Sequence, residues 1–350
     1  MEKYFAAANT EAGFFSLFHE VFSPERLRRI YILKGGPGTG KSTLMENIGF
    51  FAEEHGYHVE YICCASDPKS LDGIIIPALS AAVLDGTAPH ITDPVYPGVA
   101  EHIINLEEAF DCKALEKKRD EIFSLIRAKK EAYRTAYRFL CAAGSLEKER
   151  DALTAAFFLR EKAEAAVRRL LASFRYTRTG TQKNRYISAI SCNGVQTLDT
   201  LRLRAKKVFA VTDKHGLGCY FMNVLYEAVC AENLASTVCA SPLIRSHKEA
   251  IFLEGEDVLF ILSDEAETGS ADKIINCMRF IQKEAVSERK GRLRFLGKCK
   301  EAVMEGAFSA LHEAGEFHKK AEKIYTACVD FSKIDALKHR MLSEIFANNM

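Results

Sequence analysis

In the stretch "IYILKGGPGTGKSTLM", Ile30 to Met45, Gly35 is separated by four residues from Gly40, and Lys41 and Ser42 follow at once. Glycines at this spacing let the backbone curl until successive N–H groups point inward at phosphate oxygens. Lys41 then supplies a cation for β- and γ-phosphates, and the Ser42 hydroxyl supplies a ligand for Mg²⁺. Gly35, Gly36, Gly38, Thr39, Gly40, Lys41, Ser42 and Thr43 are the expected nucleotide-binding residues. A second Mg²⁺ anchor belongs at the end of a neighbouring strand, and "AAVLDG" offers Asp85 after an apolar run. Ser42 and Asp85 are thus the expected metal ligands, the plainer reading of Asp85 being a turn aspartate. No glutamate follows Asp85, so the sequence identifies no residue to activate water. Asp67, Asp72 and His90 lie in "CASDPKSLDG" and "DGTAPH", loops expected to open near the same sheet edge. With Lys41 and Asp85 they complete the candidate catalytic set. Each alone also reads as a turn or cap residue.

Such a cradle works only where a strand turns into a helix. Ile30-Tyr31-Ile32-Leu33 is a short apolar, β-branched run suited to a buried strand. Beyond Ser42, Leu44, Ile48 and Phe51 recur at helical spacing until Gly56. The glycines therefore fall at a helix N-terminus, whose partial positive charge suits phosphate.

A second stretch, "VFAVTDKHGLGCYFM" (208–222), reads as a worn copy. Setting Gly38 and Gly40 on Gly216 and Gly218 carries Lys41 to Cys219 and Ser42 to Tyr220. The copy keeps the strand and two glycines and loses the lysine and the hydroxyl. "VCASP" (238–242) echoes "CCASDP" (63–68), and "VLFILSD", ending at Asp264, echoes "AAVLD". Further on, "CAAGSLEKERDAL" from Cys141 resembles "HEAGEFHKKAEKI" from His312. An internal duplication is expected, with one nucleotide bound per chain. In the second half, Glu265 and Glu267 of "SDEAETG" are expected to repel a triphosphate.

Each core is followed by a charged segment with apolar residues at helical steps, such as Ile122, Ile126, Tyr133, Tyr137 and Leu140. Gly144 and Ser145 read as the C′ and N-cap of a helical hairpin with arms up to about 40 Å long. A second hairpin is expected around Gly315. The expected packing is of each hairpin on its own core, the alternative being a partner-binding or lever element. The fold class is α/β: two P-loop NTPase-like domains in tandem, the second degenerate, each with a long helical hairpin. The boundaries read 1–110 for the first core, 111–175 for its hairpin, 176–186 for an exposed linker, 187–268 for the second core and 269–350 for its hairpin.

The whole chain adds exclusions. Its 350 residues are 48% hydrophobic, enough for two medium cores. Lys plus Arg number 48 against 47 Asp plus Glu, which leaves no whole-chain case for nucleic acid or an anionic membrane. No apolar run reaches the roughly 20 residues that span a bilayer. Eleven scattered cysteines and an N-terminus without a basic-then-apolar leader point to a reducing, cytoplasmic setting. Cys63-Cys64 has no second Cys/His pair at metal-ligand spacing.

The segments "YFAAANTEAGFFS", "LKGGPGTGKSTLM", "SLDGIIIP" and "DGTAPH" give the first core a resemblance to a bacterial family of uncharacterised P-loop ATPases with a duplicated core. Members of that family carry a second recognisable P-loop, and this chain departs from them at Cys219 and Tyr220. ATP and Mg²⁺ are the expected cofactors, without a base-reading motif to separate ATP from GTP. The expected function is a Mg²⁺-dependent, slow ATPase with one active site, and a nucleotide is the expected partner. The hairpins offer a surface for a protein partner. The alternatives are a small-molecule or nucleotide kinase, with Asp67, Asp72 or His90 holding the acceptor, and a nucleotide-gated scaffold.

Overall fold

Short apolar strands separated by glycine- and proline-bearing turns build two six-stranded sheets of one topology. The computed structural model describes residues 1–174, 180–263 and 271–347. The first half runs β1 (Glu2–Phe5), β2 (Ala7–Thr10), β3 (Gly13–Ser16), α1 (Phe18–Val21), β4 (Arg29–Lys34), α2 (Lys41–Glu54), β5 (Glu60–Cys63), β6 (Leu71–Ile76), β7 (Ala81–Asp85) and β8 (Glu101–Asn105). The helices α3 (Cys112–Lys117), α4 (Arg119–Ala155) and α5 (Arg160–Leu171) follow. The second half runs β9 (Gln182–Arg185), β10 (Ser188–Ser191), β11 (Gly194–Thr197), α6 (Thr200–Arg204), β12 (Lys207–Thr212), α7 (Leu217–Ala231), β13 (Ser236–Ala240), β14 (Lys248–Leu253), β15 (Val258–Ser263) and β16 (Lys273–Ile275). Two helices, α8 (Lys283–Thr326) and α9 (Phe331–Phe346), close the described chain.

The first sheet has the order β1-β5-β6-β7-β4-β8 and the second, read from its far edge, β9-β13-β14-β15-β12-β16. Strand directions match pair for pair. β4 is parallel to β7 and β8, and β12 is parallel to β15 and β16. β6 and β14 are antiparallel to both of their neighbours. Even the bulge recurs, at Ile62/Cys63 and at Cys239/Ala240.

The strand period of two decides the layers. In β4, Tyr31 and Leu33 join Leu44, Met45 and Ile48 of α2, while Ile30 and Ile32 face the other way. There they meet Val208, Phe252, Leu259 and Ile261 of the second sheet. Phe209 and Val211 of β12 turn outward to Phe221 and Leu225 of α7. The two sheets thus lie face to face with helices outside, which explains why β4 and β15 are apolar on consecutive residues. Each fully buried Ile, Leu or Phe in this shared layer contributes about 1.5–3 kcal/mol.

The hairpins differ from expectation in two ways. α4 runs unbroken through Gly144 and Ser145, and α8 runs through Gly315. Gly144 is buried so close to Glu11 that a Cβ there would overlap the Glu11 side chain, and Ser145 Oγ donates back to the Cys141 carbonyl at 2.9 Å. The glycine serves close approach, and the serine hydroxyl is satisfied inside the helix. At 37 and 44 residues, α4 and α8 are about 55 and 65 Å long. They turn only at 156–159 and 327–330.

Nor does each hairpin pack on its own core: the tips are exchanged. Ala163, Val167 and Leu171 of α5 pack in the second half's outer core, with Phe221 and Phe260. Ile334, Met341 and Ile345 of α9 pack in the first half's, with Tyr31 and Ile48. Backbone bridges latch the exchange, Phe110 to Val329 and Phe158 to Ile281. Between the tips α4 and α8 run antiparallel, as the contacts Glu149–Arg292, Phe139–Gly306 and Lys129–His318 require. Their seam is built on Ala136, Leu140, Ala143, Ala307, Ala310 and Leu311, small enough for close approach.

Two boundaries also move. Residues 182–185 of the expected linker form edge strand β9, parallel to β13, and Arg185 makes a buried ion pair with Glu60 at 3.0 Å. Burial alone would raise the Glu60 carboxyl, yet Arg185 and Lys183 hold it below the usual carboxylate range. The second sheet extends past residue 269 to β16. Linker residues 176–179, and Asp264, Glu265 and Glu267, lie outside the described residues. Among the described residues, no helix is long and apolar enough to cross a membrane.

Candidate functional site

Between β4 and α2 the chain needs two tight reversals, and Gly38 and Gly40 supply them with φ of 71° and 78°. Thr39 is fully buried beneath the loop, its Oγ1 donating to the Gly36 carbonyl at 2.9 Å. α2 starts at Lys41 with no side-chain cap and no acidic residue in its first turn. Its leading N–H groups therefore face outward without an internal anion.

Lys41 Nζ donates to the carbonyls of Gly35 and Gly36 at 2.9 and 2.8 Å and stands 3.6 Å from Asp85 Oδ2. Asp85 ends β7, directly beside Leu33 in the ladder, and its Oδ1 accepts the N–H and hydroxyl of Thr87 at 2.9 and 2.6 Å. Ser42 Oγ accepts the Leu71 N–H at 2.9 Å, which ties the helix start to β6. Thr43 is exposed on the first turn. Lys41 and Asp85 are thus brought together, and Ser42 follows Lys41 on the first turn of α2.

Asp72 and His90 are brought together as well, but they are enclosed. His90 Nε2 lies 3.0 Å from Asp72 Oδ2, with the two side chains only 5% and 9% exposed. The imidazole stacks on Phe18 at 4.0 Å and meets the edge of Phe14 at 4.9 Å. An acceptor molecule has no approach to a pair buried in this way. Asp67 stays half-exposed in the β5–β6 loop, where its Oδ1 accepts the Lys69 N–H at 3.3 Å.

The exchanged hairpin tip forms one wall of the glycine loop. A Cβ on Gly38 would overlap Thr326 Oγ1 of α8, and that hydroxyl donates to the Gly38 carbonyl at 3.3 Å. A Cβ on Gly36 would stand 3.1 Å from Tyr325. Sequence reasoning missed these contacts because they join positions nearly a whole chain apart.

The second half fills the matching place with its own groups. β12 matches β4 position for position, Lys207 on Arg29 through Thr212 on Lys34, but α7 begins at Leu217 behind the positive-φ Gly216, two residues early. Lys41 and Ser42 therefore correspond to Leu217 and Gly218, not to Cys219 and Tyr220. Tyr220 turns to the hairpin, donating to the Asp151 carbonyl at 2.7 Å. The Asp213 carboxyl accepts the Gly218 N–H at 2.9 Å, and the Arg150 guanidinium of α4 lies against Gly216. Arg150 is itself held by Glu147 at 2.7 Å, and Glu147 by Lys300 at 2.5 Å. Burial pushes the Asp213 carboxyl up, opposed by Arg150 and the Gly218 N–H.

Asp151, Cys219 and His247 bring their ligand atoms within 4.8 Å of one another in the same region. Arg150 beside them, and a thiol pushed up by burial that donates to the Gly216 carbonyl, oppose a cation there. The His247 ring already engages Asp151 Oδ2 at 2.8 Å.

No protein-family model, curated protein or solved structure matches this chain.

Proposed function

We propose that the chain is a P-loop nucleotide-binding protein with a duplicated core, as its resemblance implies, and that it binds one ATP with Mg²⁺ in the first half and hydrolyses it slowly. The observation that carries this reading is the uncapped start of α2. Two positive-φ glycines lead into it, Lys41 and Ser42 open it, and Asp85 stands 3.6 Å from Lys41. On this reading Lys41 leaves the loop carbonyls for the β- and γ-phosphates. Ser42, with a lone pair beyond its bond to Leu71, and Asp85 hold the Mg²⁺, which supplies charge neutralisation for phosphoryl transfer. The second half lost its site when Asp213 took the place of an external anion. Repetition of sheet order, strand direction and bulge supports origin by duplication. The eleven cysteines are all free, which supports a cytoplasmic setting.

One observation favours the nucleotide-gated reading beside hydrolysis. Thr326 and Tyr325 of α8 touch the glycine loop directly, so occupancy would be felt by a helix about 65 Å long. Calorimetry with Mg²⁺ and ATP tests the central claim. The parent binds, and Lys41→Ala loses about a hundredfold in affinity. Equal affinity of the two proteins would end the P-loop assignment. Thin-layer assay of labelled ATP then reports whether phosphate is released.

A further inference from the structure

The two long helices carry a cation to each half, and the halves treat it differently. The alignment that sets Cys141 of α4 on His312 of α8 also sets Lys129 on Lys300 and Glu147 on His318. The antiparallel seam pairs these residues across the helices. Beside the second half Lys300 meets Glu147 at 2.5 Å, and Glu147 also holds Arg150. Beside the first half the corresponding contact is Lys129 Nζ to His318 Nδ1 at 3.4 Å. The carboxylate is replaced by a neutral ring, and among the described residues Lys129 has no acidic partner. Among the described residues, one half neutralises its cation internally and the other supplies no counter-charge.

The partner of Lys129, His318, sits on the stretch of α8 that runs on to the glycine loop. On α8, Glu322 and Thr326 follow His318 on the same helical face, and the Glu322 carbonyl stands 2.7 Å from a Cβ built on Gly38. Burial first, then the charges of Lys129 and Lys41, hold the His318 imidazole down to about 4, against the opposing pull of Asp67. Burial, and then Lys130, hold the Lys129 ammonium below the ordinary lysine range. A half-buried ammonium without a counter-charge is costly unless an anion joins it.

We propose that Lys129 and His318, one from each long helix, form the terminal-phosphate position of the glycine-loop site, which therefore takes a nucleoside triphosphate in preference to the diphosphate. This rests on the reading that the loop binds nucleotide. The arms then complete the site, and the ligand's last phosphate joins α4 to α8 directly over the first core.

Calorimetry with Mg²⁺ and either ADP or a non-hydrolysable ATP analogue tests it on the full chain. Lys129→Met should weaken the triphosphate analogue about tenfold or more and leave ADP within about twofold. Lys129→Arg should restore most of the loss. His318→Glu, which installs the carboxylate that the second half already has, should reproduce the Lys129→Met loss. Lys130→Ala, on the exposed neighbour, should change neither ligand. Thermal melts establish that the variants are folded. If the parent binds both nucleotides and Lys129→Met and His318→Glu bind the triphosphate as the parent does, this inference is overturned and the nucleotide reading stands. If a folded Lys129→Met weakens both ligands equally, Lys129 does not read the terminal phosphate. If the parent binds neither nucleotide, the nucleotide reading fails and this inference falls with it.

Discussion

The Asp213 carboxyl accepts the Gly218 N–H at 2.9 Å, at the point in the second half that matches the uncapped helix start at Lys41 and Ser42 in the first. An internal carboxyl therefore sits where an external phosphate would need to be. One nucleotide per chain is the expected stoichiometry in calorimetric titration to saturation. Leu217→Lys with Gly218→Ser, the replacements the true register calls for, should leave that value at one, because Arg150 lies against Gly216 and a Cβ at 218 meets the Thr212 carbonyl and the Asp213 carboxyl. A second equivalent in the parent, lost on mutation of residues 213–218, would refute the self-filled site.

Asp85→Asn should lower Mg²⁺-dependent turnover by at least about tenfold and change metal-free nucleotide binding little, because its proposed contact is to the ion. Asp85 Oδ1 already serves Thr87, so a structural role predicts a different result, namely equal loss with and without Mg²⁺ together with a lower melting temperature.

Two glycines inside long helices should respond with opposite signs to the same substitution. Gly144→Ala places a Cβ into Glu11 and should destabilise by about 1–3 kcal/mol. Gly297→Ala in α8 meets nothing within 4 Å and should stabilise by about 1 kcal/mol through helix propensity. Denaturant melts of both variants measure the difference. Stabilisation by Gly144→Ala would contradict the close contact between α4 and the β2–β3 turn.

Glu249 should make stability depend on pH. Its Oε1 accepts the Ser188 hydroxyl at 2.6 Å, its Oε2 is buried without a partner, and burial pushes the carboxyl from 4.5 up to about 7. Below pH 4.5 the group is protonated whether the chain is folded or not. From there to about pH 7 the folded chain keeps a proton that the unfolded chain releases, so stability falls as pH rises. The loss is on the order of 3 kcal/mol and is complete above that range. Glu249→Gln removes the titration, so its advantage over the parent in denaturant melts should grow from pH 4.5 to pH 8. A difference that stays constant across that range would show that Glu249 is solvated.

The strand Arg29–Lys34, the positive-φ glycines and the helix opening at Lys41 were legible in the sequence because each is a local matter. A β-branched run favours extension, a missing Cβ permits φ near 75°, and apolar residues at helical spacing continue from Leu44. Asp85 followed from one apolar run and its end. The repeat was legible for the same reason, since two copies of a local pattern leave two traces. The register of the worn copy was not. Strand and helix match at shifts that differ by two residues, and only the backbone shows that the second loop is shorter.

Gly144 and Gly315 show the other boundary. A glycine that ends a helix and a glycine that admits a neighbour look alike along the chain, and only the partner distinguishes them. That partner is Glu11 for the first and Cys192 for the second, each far away along the chain. The exchange of hairpin tips, the face-to-face sheets and the meeting of Lys129 with His318 rest on the same kind of contact. Burying an apolar helix face gains the same free energy on either of two similar cores, so periodicity specifies the face and leaves the choice of core to the tertiary fold.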